Sequence, residues 1–510
     1  MKPYFNSRTW FALLAVALLP APTLVRAQGM FENAAAGLCY KAEAQVTACS
    51  DGDAPLWLNA NRHGLSSTDD QNGYFRVALS RPAQADTASK WRLGYGLDLA
   101  AAYNYSSTFV VQQLYADFEY RIMRLSVGAK EQPAAFRNAG LSSGALTLGT
   151  NARPVPQVRF ELPEYWNISG KADLVAIKGH FGYGMMTDGG FQQDYVPVGG
   201  RYVRHALLHT KAGYLRLGNE KKFPITFEGG LEMACEFGGT IYNGRGWEGT
   251  LSEPLKMGTA PKDFINAIFG TGSDATDGTT YANAAGNTVG SWLFALKYKG
   301  KGWSARIYYD HFFEDHSQMF LQYGWRDGLL GAEITLPANP VLSCLVYESL
   351  RTDYQSGPLY HDYTEAIPDQ ISGIDNYYNH NLYQGWQHWG QAIGNPLFTS
   401  PLYNHNGSLE FLNNRFRAHH VGLSGDPLPG LHYRVLASFS KSWGTYAQPY
   451  PEVRRTTSLL VEAAYQFRKA GSPDLRGWSV KGAFGLDRGR LLGDNTGFQL
   501  TIAKSGLLVK

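Results

Sequence analysis

From Arg415 to Lys504 the sequence alternates with a period of two, and no other feature restricts the fold as much. Between 431 and 440, Leu431, Tyr433, Val435, Ala437 and Phe439 oppose His432, Arg434, Leu436, Ser438 and Ser440. At 459–468, Leu459, Val461, Ala463, Tyr465 and Phe467 oppose Glu462, Gln466 and Arg468. At 478–487, Trp478, Val480, Gly482, Phe484 and Leu486 oppose Ser479, Lys481 and Asp487. A period of two sends alternate side chains to opposite faces of a strand. One apolar and one polar face suits a soluble sandwich, or a transmembrane barrel that is polar inside and lipid-coated outside.

Aromatic spacing favours the barrel. Trp303 and Phe313 stand ten residues apart on one strand face, as do Tyr433 and Trp443. Ten residues at ~3.3 Å each span ~33 Å. Tilted by ~40°, such a strand is ~25 Å tall, the height of an apolar band between two aromatic girdles. Sandwich strands are usually ~5–6 residues long. The alternating runs at 91–103, 108–120, 289–299 and 456–468 are about twice that.

The first 27 residues have the pattern of an export signal. Lys2 and Arg8 precede an apolar core, Trp10–Leu19, and Val25-Arg26-Ala27 offers a cleavage site before Gln28. No later run approaches the ~18 apolar residues of a membrane-spanning helix, so membrane residence implies a barrel or surface attachment. Residues 28–510 read as one barrel domain. Of the 46 Lys and Arg residues, Lys2, Arg8 and Arg26 belong to the signal, and the remaining 43 match the 43 Asp and Glu. That balance argues against nucleic acid, whose binding rests on clustered positive charge. Four cysteines allow two disulfides. Cys39 and Cys49, however, flank an alternating stretch whose extended length far exceeds the ~6 Å between bridged Cα atoms.

Tight turns are legible at Glu119–Arg121, Lys178-Gly179, Gly300–Gly302, Pro337–Pro340 and Gly425–Gly430. Longer connections lie between them, chief among them 131–167, 237–288 and 352–407. Short turns at one end and long loops at the other is how outer-membrane barrels are built. The runs add up to about 18 antiparallel strands, with the count around 202–236 open. Lys262–Phe269, preceded by Pro261, reads as a short helix inside a long loop.

Few motifs point to chemistry. Gly140-Leu141-Ser142-Ser143-Gly144 matches a nucleophile-elbow string, but that motif needs a strand before it and a helix after; Asn138-Ala139 and Pro154 supply neither. His205 and His209 are four apart without the following Glu of a zinc protease. Asp69–Gly73 has calcium-loop residues without the loop's spacing. The segment 361–432 is richer, holding His361, His380, His388, His405, His419, His420 and His432. Its loop part sets Tyr377, Tyr378, Tyr383, Trp386 and Trp389 among Asn376, Asn379, Asn381, Gln384 and Gln387. Flat aromatic faces suit sugar C–H surfaces, and amides and imidazoles suit hydroxyls. Tyr377, Tyr378, His380, Tyr383, Trp386 and Trp389 are therefore candidate polysaccharide contacts. The alternative is a loop that uses these aromatics as its own small core and plugs the barrel.

One ordered set of strings spans most of the chain. It starts at Pro55–Ser67, containing Trp57, Asn59, Asn61, Arg62 and Gly64, and at Asn72–Arg76. It continues through Asn151–Gln157, with Arg153 and Pro154, and Phe313-Glu314-Asp315. Asp327–Leu329, Asn376–His380, Trp386, Ile393–Pro396, Gly444–Tyr446, Leu486–Gly489 and Gly493–Gly497 follow in order. Together these strings resemble the capsule assembly Wzi family, in its Bacteroidota-type form. The resemblance implies an outer-membrane barrel of about 18 strands whose long loops occlude the lumen. It implies a non-enzymatic, lectin-like role in holding capsular polysaccharide at the cell surface, with outer-membrane lipid and the capsule export machinery as further partners. It brings no catalytic residue, cofactor or metal. The rival reading is an open porin or saccharide channel, and the fate of 237–288 and 352–407 separates the two.

Overall fold

Every one of the long alternating runs is a strand, and together they close on themselves. The computed structural model describes residues 35–509 except 51, 87–88, 247–248, 251–252, 271–285, 315–318, 320–325, 362–369 and 469–474. The proposed export signal and Asp315 lie outside the described residues. Eighteen strands form one antiparallel sheet. Numbered in chain order, the wall strands are β1 (Cys39–Ser50), β2 (Gln71–Arg81), β3 (Trp91–Tyr103), β4 (Phe109–Tyr120), β5 (Met123–Ala129) and β6 (Gln157–Asn167). Next come β7 (Val175–Met185), β8 (Leu207–Leu217), β9 (Ile225–Phe237), β10 (Asn287–Lys299), β11 (Ser304–Glu314) and β12 (Gly328–Thr335). The last are β13 (Cys344–Arg351), β14 (Arg415–Leu428), β15 (Leu431–Gly444), β16 (Pro449–Gln466), β17 (Trp478–Gly489) and β18 (Thr496–Leu507). Strand β1 pairs with both β2 and β18, which closes the barrel.

The two faces are those expected from the alternation. On β18, Phe498, Leu500 and Ile502 are exposed, while Gln499 and Thr501 between them are buried in the lumen. In register, Val435, Val461, Phe484 and Phe498 form one outward ladder across β15–β18. Exposed apolar side chains on most of the wall strands, from Val46 and Phe75 to Ile307 and Leu330, are tolerable only against lipid. The inward positions carry Asp98, Glu161, Asp310, Glu348 and Asp487.

The longest connections, 130–156, 186–206, 238–286 and 352–414, all lie at one end of the barrel, where 104–108, 445–448 and 490–495 are short. Strands β8 and β9, joined at 218–224, settle the count around 202–236. Three sequence expectations are corrected. Residues 157–167 belong to strand β6, so the loop that begins at 131 ends at 156; Pro163 and a bulge between Leu162 and Trp166 mask the alternation there. Strand β7 runs straight through Lys178-Gly179, and the turn lies at 168–174. A Cβ on Gly179 would lie 2.5 Å from the Ala212 carbonyl oxygen, so this glycine serves close strand approach instead of a turn. Finally, Trp303 is exposed but Phe313 is wholly buried, so that pair does not mark two girdles. The Trp292 indole on the outer face donates to the Met319 carbonyl at 2.8 Å, which sets Met319 against the outside of the wall. At the turn end, Trp91 with Tyr120 and Trp303 with Tyr298 pair at 4.4 and 5.3 Å between ring centres.

Three helices matter below: α1 (Leu56–Asn59), α2 (Phe191–Tyr195) and α3 (Pro261–Phe269). The last is the helix read from the sequence, beginning at its proline. All four cysteines are free, and Cys39 and Cys49 occupy the two ends of β1.

Candidate functional site

Segments 131–156 and 376–414, from the long connections at one end, fold into the lumen, where the wall's buried carboxylates hold them; the connection 237–288, expected to occlude the lumen as well, instead sets residues 261–269 against the outer face of the wall. In the segment 131–156, the Ser142 hydroxyl and the Ser143 N–H donate to the two oxygens of Glu348, at 2.6 and 2.7 Å. Tyr308 donates to the same carboxylate. Arg137 pairs with Asp310, and Thr147 meets Ser291 at 2.8 Å. The serines of the Gly140–Gly144 string are thus committed to an inward-facing glutamate. These bonds satisfy charges that would be costly to bury alone.

The family-like strings join this plug to the wall. The N–H of Leu56 in α1 donates to Asp487 at 2.9 Å, and Trp57 lies buried against His420. Asn59 donates to the Tyr403 hydroxyl at 3.2 Å. Asn61, in a left-handed conformation, donates its N–H to Asn151 and its side-chain amide to the Ser143 carbonyl, each at 3.0 Å. Arg62 donates to the Leu58 carbonyl and lies 3.6 Å from Glu462. A Cβ on Gly64 would fall 2.3 Å from the Arg153 nitrogen, so only glycine lets the two strings meet. Half-buried Pro154 follows Arg153. Glu314 accepts the Tyr378 N–H.

Residues 376–414 complete the plug. Tyr377, Tyr378, Tyr383 and Trp386 are each at most 1% exposed. Tyr378 stacks on Phe398 at 4.0 Å and meets Phe411 edge-on, while Phe312 of the wall meets Tyr377. Their polar atoms are spent internally. Trp386 donates to the Thr147 carbonyl at 2.8 Å, Tyr383 to Gly238 at 3.1 Å and Tyr377 to Asp327 at 3.2 Å. Tyr378 donates to the Leu146 carbonyl. Four of the six candidate sugar contacts therefore form the plug's own aromatic core, the alternative that the sequence left open. Their density among amides could not tell the two apart, because buried loops need amides as much as binding surfaces do.

His380 and Trp389 stay half-buried. The His380 Nδ1 accepts from the Leu382 and Tyr383 N–H groups, at 3.1 and 3.2 Å. The Arg153 guanidinium lies 4.3 Å from the Trp389 ring, and burial pulls its pKa down to about 10. Beside Trp389 stands Phe191 of α2, which in turn stacks on Tyr195; neither residue is among the contacts expected from the sequence. Gln192 of α2 accepts the Val203 N–H at 3.0 Å, which places the stacked pair Tyr202 and Tyr242, 4.7 Å apart, on the same outer surface. Arg204 lies 6.0 Å from each of these rings and is exposed. The aromatic spacing of 191–202 was the signal available, hidden in a connection of modest length.

The histidines of 361–432 do not gather. His388 is buried, its ring nitrogens facing the Arg153 and Thr187 carbonyls at 2.9 and 3.2 Å, and burial holds its pKa below the usual value. His419 faces outward beside Tyr347, His420 faces the lumen, and His405 and His432 pair with Asp53 and Asp426. His205 precedes β8 and is exposed, whereas His209 is buried. Among the described residues, no group of three His, Cys, Asp or Glu side chains could hold a metal ion. Below the plug, cavities of about 510 and 420 Å³ reach toward the short-turn end, lined by ionic groups including Arg124, Lys178, Glu228 and Arg306.

The fold has a counterpart among solved structures. Wzi of Escherichia coli, described as an outer-membrane protein involved in group 1 capsule assembly and a carbohydrate-binding β-barrel, superposes with a TM-score of 0.55. The match covers 98% of this chain and 92% of that one. The fold is that of the Wzi barrel. At 11% identity the likeness is one of fold, and it agrees with the ordered strings that suggested the family. OprD of Pseudomonas aeruginosa (TM-score 0.46, 9% identity, 94% and 96% of the two chains) and OccK5 of the same organism (0.45, 10%, 92% and 97%) are also similar, but at scores too low to carry weight. No family model and no curated protein matches the sequence.

Proposed function

We propose that this protein is a non-enzymatic outer-membrane lectin that retains capsular polysaccharide at the cell surface. On this reading residues 1–27 direct export, 28–510 form one barrel domain, and the capsule export machinery delivers polymer to its outer end. The observation that carries it is the division of aromatic residues in the long loops. One set is buried and stops the lumen; the other, Trp389 with Phe191, Tyr195, Tyr202 and Tyr242, stays half-exposed at the outer surface beside Arg204 and Asn381. A packed plug speaks against a channel, and open rings beside hydrogen-bonding groups suit a sugar. The Wzi barrel's description as carbohydrate-binding supports the same reading.

Each ring–sugar contact is worth about 1 kcal/mol, by analogy with other aromatic contacts. Useful retention then needs several contacts along a repeating polymer. The test is binding of purified capsular polysaccharide to the reconstituted protein. The double variant Trp389→Ala, Phe191→Ala should keep its heat-modifiable mobility but bind polymer weakly and shed capsule into the medium. Unchanged binding by a well-folded double variant would remove this surface. Steady conductance of the unmodified protein in planar bilayers would instead favour the saccharide channel.

A further inference from the structure

The outer face of β8 presents a problem for a membrane strand. Leu217 and Leu215 are exposed there, followed by Gly213 and then Lys211. Six residues separate Leu217 from Lys211, ~20 Å along the strand and ~15 Å in height at ~40° tilt. The apolar band of such a barrel is ~25 Å tall, so a lysine stands within it.

Helix α3 covers that position. The Lys211 ammonium donates to the Ile268 carbonyl in the helix's last turn, where the helix dipole favours a cation. The Tyr183 hydroxyl on neighbouring β7 donates to the Phe264 carbonyl at 2.8 Å. Phe264 packs against Tyr183 and Phe237 at 5.2 and 5.1 Å, and Ala267 joins Cys235 and Phe237 in one buried cluster. Tyr183, Lys211, Cys235 and Phe237 share strand faces with exposed Phe181, Leu215 and Phe227, so this cluster lies on the outside of the wall. The helix begins under a cap, Asp263 accepting the Ala260 N–H at 2.8 Å, and ends at Gly270 with φ +62°. On its far side Ile265 and Phe269, one turn apart, are 55% and 60% exposed.

We infer that α3 is a lipid-contacting helix that completes the apolar band over β7–β9, with Ile265 and Phe269 set among acyl chains of the outer leaflet. The bilayer is the occupant because the helix's exposed face continues the lipid-facing surface of the same three strands. A lysine bathed in water would have no need of a helix end. A second protein chain on this face is the competing occupant.

The test places the photo-crosslinker p-benzoylphenylalanine at Ile265 or Phe269 in the full chain, reconstituted in phosphatidylcholine vesicles. Phe227 serves as the lipid-facing reference and exposed Val198 of the outer loops as the aqueous one. Heat-modifiable mobility first confirms each labelled barrel, and if one helix position disturbs assembly the other carries the test. Lipid adducts at 265 and 269 should match those at 227 and exceed those at 198 several times over. Adducts no more frequent than at 198, or crosslinks to a second copy of the chain, would overturn the inference. Either result leaves polysaccharide binding at Trp389 untouched.

Discussion

The indole N–H of Trp386 donates to the carbonyl of Thr147 at 2.8 Å, joining residues 239 apart in sequence. This bond connects the two segments that fill the barrel. Around it, Tyr378 reaches the neighbouring Leu146 carbonyl and Asn395 donates to Gly144 at 2.9 Å. The two segments thus share one core, which continues into inward-facing wall residues such as Phe312 and Leu436.

Trp386→Ala should open that core. Truncating a wholly buried tryptophan costs ~3–5 kcal/mol, and here it also strips a buried carbonyl of its donor. The wall's ladder of hydrogen bonds does not involve Trp386, so the variant should insert and keep its heat-modifiable mobility. Planar bilayers should record ion conductance that the parent protein lacks. A silent variant would mean that closure of the lumen does not depend on this junction.

Val435→Arg and Leu436→Arg should both do damage, at different steps. Val435 faces lipid, where an arginine costs ~2–4 kcal/mol near the midplane, so less assembled barrel should be recovered. Leu436 is 3% exposed and packs in the lumen core, which makes the neighbouring change severe even though it faces inward. Leu436→Arg should still insert, but 131–156 should become open to added protease. Identical behaviour in both assays would contradict the assigned faces.

The wall was legible because a membrane barrel writes its two solvents into alternate residues. Val435, Val461 and Phe484 differ from Ser438, Glu462 and Asp487 in chemistry as well as in position. Alternation failed where a bulge shifts the register, at Leu162–Trp166, and where a glycine serves close approach, at Gly179. The plug was legible in composition and ambiguous in purpose. Trp386 and Trp389 sit three residues apart with the same chemistry, yet one is wholly buried and the other half-open. That difference is set by Thr147, Arg153 and Phe191, far away in sequence. The outer position of α3 was equally hidden: its amphipathic pattern shows a buried face without saying what buries it.

The plug should tighten as pH falls toward 5 through Asp327. Its carboxylate accepts the Gln355 and Tyr354 N–H groups at 2.6 and 3.1 Å and the Tyr377 hydroxyl at 3.2 Å, yet burial dominates and lifts its pKa from 3.8 to about 6. Between these values the folded segment holds a proton that the opened segment has released. The stabilisation is therefore complete below about pH 4, shrinks as pH rises and is gone above about 6, amounting to at most about 3 kcal/mol across the window. His388 acts in the opposite sense: burial lowers its pKa, so opening gains a proton as pH falls below the usual histidine value. The two are separated by comparing the parent protein with Asp327→Asn, which keeps His388. Hydrogen exchange of residues 376–383, corrected for intrinsic rates, should show parent protection rising relative to the variant between pH 7 and pH 5. A difference that stays constant across that range would mean that Asp327 is not the titrating group.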